Sequence, residues 1–205
     1  MKAISRNIGW VWKSAILIAI IVSGYLLIRL VSGTTIHVPK EFLEARVRGG
    51  EFADHIVRLS EESIQNLRLI SENDAANKYR EGLERIKEEL ARNEVARDSA
   101  LKLSKELVIM ANSLQDIKPA DSSKPGLEAI IVESQIVQYL ISYNNNIYQL
   151  IELLRVKFLN PAKADNEKIR IIIAEMNREA EAVNNLNEKY KELMSEFDEL
   201  TQKVK

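Results

Sequence analysis

The run Ile8–Val31, IGWVWKSAILIAIIVSGYLLIRLV, constrains this chain more than any other stretch. Its only charges, Lys13 and Arg29, stand near its ends, and the fifteen residues between them carry none. Coiled as a helix at about 1.5 Å per residue it reaches roughly 36 Å, enough for a hydrocarbon core of about 30 Å. It is apolar all round, with no polar stripe to turn toward water, so a buried helix of a soluble core fits poorly. Lys13 and Arg29 can extend their stems and hold their charges at the two interfaces. Trp10 and Trp12 fall where an aromatic belt forms. A cleaved leader is the competing reading, since Val22-Ser23-Gly24 and Val31-Ser32-Gly33 both resemble small-residue cleavage sites. The first cut would strand the apolar Tyr25–Leu30, and the second needs a longer apolar region than leaders carry. The expectation is an uncleaved anchor in the lipid bilayer, with residues 1–7 as a short tail and 32–38 as a spacer.

Charge divides the chain at the same place. Lys2, Arg6, Lys13, Arg29 and Lys40 are the charged residues of the first forty positions, leaving 24 of the 29 basic and all 30 acidic residues beyond them. A short basic tail before such an anchor commonly stays inside. This orients the chain as a single-pass protein of the cell membrane, N-terminus cytoplasmic and residues 34–205 extracytoplasmic. The mildly acidic body lacks the concentrated basic stripe that nucleic acid requires. There is no cysteine, which excludes disulfides, thiolate nucleophiles and cysteine zinc sites.

Residues 39–205 read as helix. Seven glycines and four prolines among 205 residues are few, which favours long uninterrupted helices over β architectures. Pro39 suits a first helical turn, and Phe52, Ile56, Leu59, Ser63, Leu67 and Ile70 keep the spacing of one buried face. Gly49-Gly50 is expected to kink or interrupt this helix. Near Ser71–Asp74 the pattern loses phase, and a tight turn over 71–76 is expected. The next stripe is Tyr79, Leu83, Ile86, Leu90, Leu101, Leu107, Val108, Ala111 and Leu114, with Val95, Ala96 and Ala100 as small buried candidates in a thinly apolar middle. Lys118–Gly126 (KPADSSKPG) is the clearest break. After it, Leu127, Ile130, Ser134, Val137, Ile141, Asn144, Tyr148, Ile151, Arg155 and Phe158 form the stripe of the most apolar helix. Asn160-Pro161 ends that helix and Asp165 looks like the N-cap of the last one. The last helix keeps a heptad through Ile169, Ile172, Met176, Glu179, Val183, Leu186, Tyr190, Leu193, Phe197, Leu200 and Val204. The fold class expected is all-α: a transmembrane helix followed by an elongated antiparallel four-helix bundle, with helices near 39–72, 76–117, 127–159 and 165–204. If the chain does not turn near Asp74, a three-helix coiled coil takes its place.

No catalytic, cofactor-binding or metal-binding constellation is legible. His37 and His55 lack metal-ligand spacing and read as solvent-exposed. The glycines are scattered and form no phosphate-cradling loop. Glu and Asp residues recur at helix-surface spacing, which reads as solvated faces. One cluster is unusual: Ser142-Tyr143-Asn144-Asn145-Asn146 interrupts the most apolar helix. Ser142, Asn144 and Asn145 therefore mark a register-fixing polar core or a polar ligand site, unless Asn145 and Asn146 simply face solvent. Tyr190 and Phe197 on the last heptad are candidate anchors of a homo-oligomer. The expected function is binding or scaffolding of an unidentified protein partner at the cell envelope, not catalysis. The alternative is an extracytoplasmic ligand-binding or sensing module that signals through a separate membrane partner.

Overall fold

A computed structural model describes residues 36–118 and 120–202. The Ile8–Val31 segment, with Trp10, Trp12, Lys13 and Arg29, lies outside the described residues. Among those that are described, no helix is long and apolar enough to cross a membrane. The described chain is all-helical, with four long helices: α1 Lys40–Ala75, α2 Tyr79–Ser113, α3 Ser123–Leu159 and α4 Asn166–Gln202. At about 1.5 Å per residue each is a rod of roughly 55 Å.

The break near Asp74 is a turn, not a kink, so four helices form and not three. It falls later than the phase loss suggested, over Ala76–Lys78, because Ser71 and Asp74 do not cap there. Instead Asn77 takes the left-handed conformation at φ 55°. The Lys78 N–H then donates to the Asn73 carbonyl at 2.8 Å and the Asn77 N–H to that of Asp74 at 3.1 Å. This pair of bonds is the Schellman closure of a helix C-terminus, with asparagine in the place glycine usually takes. Asp74 turns its carboxylate to Lys157 of α3, 2.5 Å away.

Two other boundaries differ from the sequence reading. Gly49-Gly50 does not interrupt α1. Gly49 is buried against α2, where a Cβ would stand 3.4 Å from the Leu103 side chain. α3 begins at Ser123, four residues before Leu127, with Pro125 inside its first turn. A missing N–H costs nothing there, since the first N–H groups of a helix have no intrahelical partner. Asp165 does cap α4: its Oδ1 accepts the Lys168 N–H at 2.9 Å.

Packing follows chain order. α1 lies on α2, α2 on α3 and α3 on α4, while α1 and α4 scarcely approach each other. Two apolar clusters fill the ends. At one, Phe42 and Ala45 of α1 meet Leu107 and Met110 of α2, Ala129 and Ile130 of α3, and Met194 and Phe197 of α4. At the other, Ile70, Ile86, Ile151, Phe158, Ile172 and Met176 pack together. Gly82 belongs to this second cluster by necessity, because a Cβ there would stand 2.1 Å from the Phe158 ring. The start of α1 is tied to the α2–α3 connection by paired backbone bonds between His37 and Lys118, of 3.1 and 2.9 Å.

Candidate binding groove

Between the two apolar ends the bundle interior is polar. Asn144 is buried on α3, where its carbonyl and Oδ1 accept from Asn93 of α2 at 3.0 and 3.1 Å. Ser142 donates to Glu179 of α4 at 2.5 Å, and Asn146 donates to the other oxygen of the same carboxylate at 2.9 Å. Asn145 faces solvent. Glu89 of α2 is fully buried; its Oε2 accepts from Asn66 of α1 at 2.9 Å and from Arg92, while its Oε1 has no partner. Tyr143 lies between these carboxylates, and burial, then Glu89 and Glu179, hold its phenol above the ordinary value. Hydrogen-bonded amides and carboxylates of this kind permit few alternative alignments of their helices.

Glu89 and Glu133 thus do not lie on solvated faces, and Glu179 is buried at its place in the last heptad. The signal was present: Ile130, Glu133 and Val137 stand at the three-four spacing of the α3 apolar stripe, as Ile86, Glu89 and Asn93 do on α2. Several residues expected inside are outside instead. Val95, Leu101, Val108, Leu127 and Tyr148 are all exposed, and Ala96, Ala100, Leu103, Leu107, Ala129, Ile130 and Ile147 hold the inward positions beside them. His55 is half-buried, with Nδ1 3.0 Å from Ser99 Oγ, whereas His37 is exposed.

Adjoining the polar layer, the seam between α1 and α4 stands open as a groove of about 350 Å³. Ala53, Val57, Ser60, Glu61 and Ile64 of α1 form one wall, and Ala180, Val183, Asn184 and Asn187 of α4 the other. Leu103 of α2 and Glu133, Ile136, Leu140 and Tyr143 of α3 form the floor. Small or polar side chains at Ala53, Ser60, Ala180 and Asn184 are too short to bridge two helices, which explains the gap. The seam is shut at the end where α1 starts. There the Phe42 and Phe197 rings pack at 5.2 Å between centroids, and Arg46 grips Asp198 by two bonds of 2.6 and 2.8 Å.

Glu133 is the chemically distinctive group of the groove. It is 7% exposed, and no hydrogen bond or ion pair from a described residue engages its carboxyl. Burial pushes that carboxyl up to about 7. Its neighbour Tyr190 is pushed up to about 12, first by burial and then by Glu133, with Arg46 opposing the rise. Tyr190 is half-buried, and Phe197, at 1% exposure, spends its surface against Phe42 within the chain. Among the described residues no group of three or more His, Asp or Glu side chains is placed to hold a metal ion. In comparison with known proteins, the chain matches no family model, no curated protein and no solved structure.

Proposed function

We propose that this chain is a single-pass membrane protein whose helical bundle lies outside the cytoplasm and acts by binding protein partners or scaffolding at the cell envelope, not by catalysis. The apolar run Ile8–Val31 and the one-sided charge distribution support the placement. Exposed apolar surface supports the mode of action. Leu101, Val108 and Ile109 on α2 and Leu127 and Ile131 on α3 are all exposed, on the halves of these helices nearer the α2–α3 connection. Large apolar side chains gathered on one part of a surface mark interaction sites. A second copy of the chain is one such partner.

Photo-crosslinking in intact cells tests this. A photoreactive amino acid at Val108 or Ile131 should give a discrete adduct with one protein, while Glu167 at the opposite end should give none. Adducts absent from both positions would remove this surface from the reading. External protease on cells with permeabilised outer layers should digest the bundle; full protection would place it inside.

A second reading, ligand binding or sensing, is favoured by one observation, the unpartnered Glu133 in an open groove.

A further inference from the structure

We propose that the open seam between α1 and α4 binds a small organic cation with an apolar body, its charged head seated on Glu133. This rests on the second reading above and names its ligand class.

The groove, at about 350 Å³, is within the range of small-molecule sites, which are mostly apolar with a few placed polar groups. Ile56, Val57, Ile136, Leu140 and Val183 supply the apolar surface. Glu133 supplies the polar group, more than nine-tenths buried, unpartnered and lining the cavity. An unpaired buried carboxylate is costly, and a ligand that brings the opposite charge removes the cost it finds.

The surrounding charges select the sign. From α1, Glu61 adds a second carboxyl to the lining, and Arg46 is taken by Asp198 of α4. α4 contributes the amides Asn184 and Asn187 to the walls and Tyr190 nearby; α3 contributes Tyr143; α2 contributes only Leu103. Among the described residues no lysine or arginine lines the groove, so an anionic ligand would meet two carboxyls there and no cation. The volume suits one compact body and not a helix laid along the seam. Ionisation of Glu133 near pH 7 makes the site a better cation receptor at pH 8 than at pH 6.

The test uses the full chain in lipid nanodiscs, with empty nanodiscs subtracted, titrated calorimetrically with three probes of one shape: 1-adamantylammonium, 1-adamantanol and 1-adamantanecarboxylate. At pH 8 the cation should bind about tenfold tighter than the alcohol, as expected for one charge-assisted contact, and the carboxylate should bind weakest. Affinity for the cation should fall severalfold from pH 8 to pH 6, although an aliphatic amine keeps its charge over that range. Glu133→Gln should erase both the preference and the pH dependence while still binding the alcohol. Val57→Trp, at an exposed wall position, should weaken all three probes. Equal binding of cation and alcohol, or a preference for the carboxylate, would overturn the cation assignment and leave the groove standing. Binding of none of the three would overturn the assignment and the ligand-binding reading together.

Discussion

Glu133 combines burial, isolation and an accessible cavity in one side chain, and its consequences reach beyond binding. Its carboxyl titrates near 4.5 in an unfolded chain and near 7 in the bundle. The folded state therefore holds a proton that the unfolded state releases between those values. Its contribution is most favourable below pH 4.5, declines as pH rises, and is fully lost above 7. The whole span corresponds to about 3 kcal/mol, from 1.36 kcal/mol per unit. Glu133→Gln should accordingly raise stability at pH 8 by up to about 3 kcal/mol and leave it nearly unchanged at pH 4.5. Urea midpoints of the two proteins at both pH values measure this. An equal gain at both would assign the effect to packing and not to the proton. Glu89 and Glu179 are buried too but are held by Asn66, Arg92, Ser142 and Asn146. The three glutamates share one residue type and one helix spacing, so their different roles depend on what faces them.

Each helix follows from its sequence in a way that can be checked at its ends. The Asp165 cap and the number of helices were legible because caps, Asn-Pro breaks and apolar periodicity are local signals. The α1–α2 turn was only partly legible. The spacing of Ser71 and Asp74 suggested a cap, whereas the deciding residue is Asn77, whose left-handed backbone shows no pattern in apolar spacing. Asn77→Ala should destabilise the bundle by about 1 kcal/mol, since asparagine's short polar side chain tolerates the left-handed conformation and alanine's methyl does not, and Asn77→Gly should be nearly neutral. Thermal denaturation of both variants distinguishes this from loss of a side-chain contact, which would penalise both. In α2 and α3, heptad counting put Leu101, Val108, Leu127 and Tyr148 inside. They lie outside because Ala100, Leu103, Leu107, Ala129, Ile130 and Ile147 take the inward positions beside them. A stripe read from hydrophobicity alone cannot represent a core whose middle layer is polar.

At the scale of the whole molecule, four rods in chain order leave the first and last as neighbours without much to join them. That arrangement was not legible, since it depends on how far Ala53 and Ser60 stand from Ala180 and Asn184 across the seam. The Ser142–Asn146 cluster did point to the polar layer, and the groove lies beside it and not within it. The clasp of Phe42, Arg46, Phe197 and Asp198 sits where α1 begins and α4 ends. Those two points therefore share one end of the rod, and tension between them acts across the helices and not along them. Contacts loaded in that direction break one after another, as a zipper opens, so the clasp carries the pull first and the groove yields next. Optical tweezers with handles at residues 38 and 201 should unfold the bundle at lower force than handles at 38 and 77, which slide α1 lengthwise against its neighbours. The absence of native cysteine allows such handles to be placed singly. Higher force through 38 and 201 would show that the seam is held by more than its clasp. Tension applied between residues 38 and 201 is therefore met first by one ring pair and one ion pair.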